Sequence, residues 1–186
     1  MNYRNVQAPT AVVMVRPHRF RVNAETLADN AFQAAPAGEL ASDAIAASAR
    51  AEFDAAVEQL LAAGITVHVF DDFGQLDTPD SVFPNNWFST HHGGRVAIYP
   101  MYAPNRRRER RADVIELLKS IYRVQEVIDY SGLEYDDLFL EGTGAMVLDH
   151  AERLAYVANS HRADPVILER FCTAFGYEPM AFPHRR

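Results

Sequence analysis

The sequence is short of the residues that make cross-links and of long apolar spans. Among 186 residues there is one cysteine, Cys172, so no internal disulfide can form, in keeping with a reducing compartment. No run of about 18 apolar residues occurs, and the N-terminus lacks the basic, apolar, small-residue order of a signal peptide, so a soluble, cytoplasmic protein without a membrane partner is expected. The seven histidines fall in no metal-ligand spacing such as His-Glu-x-x-His, so no metal or other cofactor is expected. Positive charge is scarce: 18 Lys and Arg against 25 Asp and Glu leave a net charge of −7, which argues against nucleic acid as a partner. Arg106 to Arg111 is a local basic exception, read as a solvated helix start able to attract an anion. What is present is a globular composition, 48% apolar and 23% charged, of a size that fits one domain.

Along the chain, short apolar runs alternate with helical periodicity. Ala11 to Val15 reads as a buried strand closed by Arg16-Pro17, and residues 23 to 34 as a short helix. Phe53, Val57, Leu60 and Leu61 give helical spacing from about Ser42 to Ala63, stopped by Gly64. Ile65 to Phe70 reads as the next strand. A hairpin follows, Trp87 to Thr90 and Val96 to Tyr99 around His91-His92-Gly93-Gly94. A helix from about Arg107 to Ser120, with Val114, Leu117, Leu118 and Ile121 on one face, leads to a strand from Val124 to Ile128. The plan then repeats: Ala145 to Leu148, Leu154 to Ala158, a helix at Pro165 to Phe175, and a strand through Pro179 to Phe182.

Internal repetition is the main organising signal. The junctions beginning at Leu61, Leu118 and Cys172 lie 57 and 54 residues apart, and Arg95-Val96-Ala97-Ile98-Tyr99 returns as Arg153-Leu154-Ala155-Tyr156-Val157. The unit is strand, strand, helix, strand, with copies at about 11–80, 81–138 and 139–186. Such units pack around a common axis with their loops gathered at one end, which brings residues one repeat apart together. On that basis Asn85 or Asn86 faces Glu141, and Arg106 faces Arg162.

Two stretches carry the chemistry. Asp80-Ser81-Val82-Phe83-Pro84-Asn85-Asn86-Trp87 begins with turn residues and enters a strand, and its adjacent carboxamides offer donors and acceptors to a urea, amide or guanidine. Alone it reads first as an Asx turn before a strand. Phe139-Leu140-Glu141-Gly142-Thr143-Gly144, in the matching place one repeat later, favours the binding reading.

These stretches resemble the penteins, the guanidine-modifying superfamily built as a five-bladed α/β propeller. Asp80 to Asn86 is similar to the family's Asp-Ser-Val-Phe followed by one residue and an acidic pair, and Leu140 to Gly144 to its Leu-Glu-Gly-Gly-Asp. Ala103-Pro104-Asn105-Arg106 and Ser160-His161-Arg162 resemble its two arginine-bearing loops. The resemblance implies an α/β fold, about three of the five propeller repeats, in the N-terminal part of an amidinotransferase-like or citrulline-utilisation hydrolase. It implies a citrulline or arginine derivative as the small-molecule partner. It further implies that Glu141 holds the substrate's planar nitrogen group, that Asp80, Asn85 and Asn86 line the substrate, and that Arg106 and Arg162 clamp its carboxylate.

Three departures stand out: an Asn pair replaces the acidic pair, Gly144 replaces the closing Asp, and the family's catalytic Cys and His fall later than the Arg162 motif. Cys172, on the apolar face of a helix, reads as a buried structural thiol. The catalytic pair is therefore expected to lie outside this sequence, leaving open sheet edges and a tendency to self-associate. A non-catalytic binding module of the same architecture, or an inactive truncated product, is the alternative.

Overall fold

The computed structural model describes residues 6–27 and 39–183, which form two compact units. Among the described residues, 9–27, 39–84 and Ala103–Val114 make one unit; 6–8, Asn85–Tyr102 and 115–183 make the other. Most of the helix expected at 23 to 34 lies outside the described residues, as does His184; within them, 24 to 27 form a turn.

In the first unit, β1 (Ala11–Pro17) and β2 (Thr66–Asp72) pair in parallel, Ala11 opposite Thr66 through Pro17 opposite Asp72. A parallel pair needs a long crossover, and α1 (Glu39–Ala62) supplies it. Phe53 and Val57 of α1 are buried, as is Val15 of β1, whereas Leu61 is 54% exposed. Arg16 ties helix to strands, with Nε 2.7 Å from Asp54 and Nη1 3.0 Å from Asp71. The expected helix over 107–120 is instead a short α2 (Pro104–Arg107) and a separate α3 (Ala112–Ile121), the latter running from this unit into the second. Side-chain bonds from the intervening arginines explain the break: Arg108 donates to the carbonyls of Leu76 and Asp77, and Arg111 to that of Asp71.

The second unit holds two three-stranded sheets of one topology. β3 (Phe88–His91), β4 (Arg95–Ile98) and β5 (Glu126–Asp129) pair antiparallel then parallel, as do β6 (Met146–Asp149), β7 (Leu154–Ala158) and β8 (Glu178–Phe182). The strand, strand, helix, strand plan is thus present in both, with α5 (Pro165–Phe175) as the second crossover. Register shows one difference from the sequence alignment. His91 pairs with Arg95 across the first hairpin, but Asp149 pairs with Leu154 across the second, so Arg153 is an additional turn residue, at φ 61°. Leu154, not Arg153, therefore matches Arg95, and in a strand a one-residue offset exchanges the two faces.

That exchange decides what is covered. Ala97 and Tyr99 of the first sheet are fully buried in one cluster with Ile167, Leu168, Phe171, Cys172 and Phe175 of α5 and with Met146, Leu148, Ala155 and Val157 of the second sheet. Phe171 lies 5.7 Å from Tyr99, and Phe175 lies 4.4 Å from His91 and 4.6 Å from the Arg95 guanidinium. On the register-matched face of the second sheet, Val147, Tyr156 and Met180 form one exposed cross-strand row. A chain of polar groups threads the core: Tyr99 and His91 Nε2 each meet the Ser89 hydroxyl at 2.6 Å, and the Tyr177 hydroxyl meets His91 Nδ1 at 3.2 Å and His150 Nδ1 at 2.6 Å. Burial holds the His91 imidazole neutral, its pKa lowered to about 3, with His150, Arg153 and Arg95 adding repulsion.

Candidate functional site

Glu141 stands at the entry to α4 (Gly142–Ala145), and the backbone fixes it from two sides. Leu140 N donates to Pro100 O and Glu141 N to Arg162 O at 3.0 Å, while Asp164 N donates to Phe139 O at 2.7 Å. The segment is therefore laced between the end of the first sheet's hairpin and the loop leading to α5. Its carboxylate, 1% exposed, accepts from Tyr102 N through Oε1 at 3.0 Å, and its Oε2 lies 3.7 Å from Arg162 Nη1. Arg162 Nη2 is buried and has no hydrogen-bond acceptor among the described residues. A buried donor left in this state is uncommon and calls for an explanation.

The Asn pair sits against the same turn. Pro84 to Asn86 form a single 3-10 turn; Asn85 is exposed and Asn86 buried. Asn85 Nδ2 donates to Thr143 Oγ1 at 3.1 Å, and that hydroxyl donates back to Asn85 O at 3.4 Å. The approach needs a residue without Cβ: one at Gly142, where φ is +32°, would strike Asn85 O and come within 3.0 Å of Asn86 O and of the Tyr99 ring. A cleft of about 350 Å³ is lined by Tyr102, Phe139, His161, Asp137 and Asp164 among others, with the Tyr102 and His161 rings stacked 5.9 Å apart; Glu141, Arg162 and the Asn pair are not in its lining.

Asp80 and Arg106 belong to the other unit, in a buried polar cluster of their own. Asn23 Nδ2 donates to Asp80 Oδ2 at 2.7 Å, and Asn23 and Asn105 exchange carboxamide bonds at 2.7 and 3.2 Å. Arg106, also buried, gives Nε and Nη2 to the two oxygens of Glu109 at 2.9 and 3.0 Å, with Asp80 Oδ2 3.8 Å away. Sequence reasoning expected Arg106 to clamp a substrate carboxylate from within a solvated basic run, and passed over Asn23 and Glu109. The signal for Glu109 was the three-residue spacing from Arg106, which puts the two on one face of a helical turn. Asn23 carried none.

Cys172 lies in the core of α5, where burial pushes its thiol up to about 11. A thiol so placed is protonated near neutrality and is a poor nucleophile. No group of His, Cys, Asp and Glu suited to a metal ion occurs among the described residues. No helix among them is long and apolar enough to cross a membrane.

The family model for eukaryotic N,N-dimethylarginine dimethylhydrolase matches residues 16–186. The chain belongs to this family. The pentein resemblance of the Asp80 and Glu141 stretches thus holds at the level of the whole chain. Among solved structures, a dimethylarginine dimethylaminohydrolase captured as an adduct with S-methyl-L-thiocitrulline superposes with TM-score 0.65 at 16% identity, over 95% of this chain and 61% of that one. The enzyme from Pseudomonas aeruginosa, in complex with citrulline, gives 0.63 at 14% identity over 95% and 61%. The N-terminal domain of ArgZ, a cyanobacterial arginine dihydrolase, gives 0.65 at 15% identity over 95% and 58%. At such identities these establish an α/β fold of this type, and the chain spans about three-fifths of those relatives' length. No curated protein matches by sequence.

Proposed function

We propose that the chain forms the substrate-binding part of a hydrolase acting on the ureido or guanidino carbon of citrulline- or arginine-type amino acids. The observation that carries this reading is the Glu141–Arg162 pair: an enclosed carboxylate with a guanidinium 3.7 Å away whose Nη2 lacks an acceptor. A free amino acid with a planar nitrogen head matches both groups. The head's N–H donors suit the Glu141 carboxylate, and the far carboxylate suits the arginine fork. Asn85 and Asn86, on the turn beside that of Glu141, line the head.

The Asn pair favours a ureido head. A guanidinium is a buried cation that calls for several anions, whereas a urea is neutral and its carbonyl oxygen needs a donor, which Asn supplies and an ionised carboxylate cannot. Relatives captured with citrulline and with S-methyl-L-thiocitrulline support amino-acid ligands of this class. In the thiol mechanism that the family resemblance implies, a thiolate attacks the planar carbon and a histidine carries protons. Core burial holds the Cys172 thiol protonated and away from that attack, so binding is the role read for this chain.

Trp87, the single tryptophan, adjoins Asn86 and reports binding by fluorescence. Titration with citrulline should saturate at lower concentration than titration with arginine, and Asn86→Asp should move the preference towards arginine. Arginine binding more tightly to the wild type, unmoved by Asn86→Asp, would refute the ureido assignment. Thiol-dependent hydrolysis by the purified chain, abolished by Cys172→Ser, would refute the non-nucleophilic role of Cys172.

A further inference from the structure

Gly142 and Gly144 flank Thr143 in the turn that carries Glu141, and they are glycines for different reasons. The Cβ of any residue at 142 would meet main-chain oxygens, those of Asn85 and Asn86. At 144 the three nearest atoms to a Cβ are all from one side chain: it would overlap Asn86 Oδ1, lie 2.7 Å from Asn86 Cγ and 3.4 Å from Nδ2. The space that a side chain at 144 would fill is already occupied by the Asn86 carboxamide. Asn86 itself is 6% exposed, so the carboxamide cannot move aside without leaving its buried seat.

We infer that Gly144 is a positioning residue that fixes ligand selectivity: by having no side chain, it lets the Asn86 carboxamide occupy the space against Gly144, in the turn that Glu141 enters. The selectivity half of this inference rests on the ureido-binding reading above; the positioning half does not. The three nearest atoms to a Cβ at 144 belong to the side-chain end of Asn86 rather than to backbone, so Gly144→Ala should fold, with the Asn86 carboxamide turned out of place. Gly142→Ala meets backbone, and no change at Asn86 relieves it. Position 144 therefore acts on the ligand head through Asn86, without touching the ligand.

The test is a cycle of Gly144→Ala, Asn86→Ala and the double variant in the full chain, with Gly142→Ala as control. Urea unfolding is followed by Trp87 fluorescence, and citrulline and arginine are titrated into each folded variant. Gly144→Ala should lower the unfolding midpoint in the wild-type background and leave it unchanged when Asn86 is Ala. It should also lower the citrulline-to-arginine affinity ratio by about tenfold, as expected for loss of one well-placed hydrogen bond, and match Asn86→Ala in that ratio. Purely local damage at 144 would lower the midpoint equally in both backgrounds and leave the ratio alone; either result overturns the inference. Should the wild type bind neither ligand, the ureido reading fails, and the unfolding cycle still decides the positioning role: non-additive costs support it and additive costs refute it.

Discussion

Removing Glu109 should reveal how much of the first unit's stability is tied to one enclosed charge. The Arg106 and Glu109 side chains are 4% and 0% exposed and share two charge-assisted bonds, at 2.9 and 3.0 Å. Glu109→Leu takes both bonds from the guanidinium and leaves Asp80 Oδ2 3.8 Å from it, and stripping one partner from a buried pair costs about 3–5 kcal/mol. For a protein of this size each kcal/mol moves the melting temperature by about 2–4 °C, so the loss should be roughly 6–20 °C. Arg106→Met/Glu109→Leu removes both charges, and apolar replacement of a whole buried pair is commonly neutral or better. Because both variants carry the same leucine, their difference reports what keeping the Arg106 guanidinium costs once Glu109 is gone. Thermal melts by circular dichroism measure it. A Glu109→Leu variant within about 0.5 kcal/mol of wild type, or a double variant worse than the single, would refute the reasoning, since that is the range of ordinary surface changes.

Phe171→Ala, at a fully buried ring 4.9 Å from Phe175 and 5.7 Å from both Tyr99 and Tyr177, should cost about 3–5 kcal/mol in urea unfolding, and a loss under about 1 kcal/mol would contradict the packing described. His91 is neutral when folded, its pKa lowered from 6.5 to about 3, so the unfolded chain binds the extra proton between those values. Its contribution is complete above pH about 6.5 and is lost as pH falls towards 3, so His91→Gln should flatten that part of the stability profile, and an unchanged slope would refute it. Cys172, with its thiol pushed up to about 11, should react with a thiol reagent at pH 8 only at the rate of unfolding; rapid reaction in the native chain would show the site to be open.

The sequence disclosed elements bounded by strong local signals and missed those set by distant partners. α5 was legible to the residue because Asp164 caps it through Val166 N, Pro165 opens it and Gly176 closes it at φ 71°. β7 was equally plain from its apolar run. The helix read across Arg107 to Ser120 holds from Ala112 onward but missed the break before it, because what ends α2 is a set of arginine bonds to carbonyls at 71, 76 and 77, which no periodicity records. Ile121, expected inward, is 57% exposed, and Ile115 is buried in its stead. Glu141 and Asn86 were singled out because two repeats share a loop position, and their turns do meet. Arg106 was singled out by its repeat partner Arg162 and its loop, but the Glu109 that grips it was taken for part of a solvated face. The reciprocal fit of Asn86 and Gly144 left no sequence trace beyond two departures from a motif.

The burial of α5 against both sheets bears on how the second unit moves. Its Phe171 and Phe175 rings lie against Tyr99, His91 and Arg95 of the first sheet, and its Leu168 and Cys172 share a cluster with Leu148 and Val157 of the second. A helix covered on one side can lift from its sheet as a local opening, but this one cannot leave either sheet without uncovering the other. The amides of β4, α5 and β7 are thereby joined in a single cooperative unit, exchanging with solvent through one shared opening, while those of β8, exposed along its length, follow a separate and faster clock.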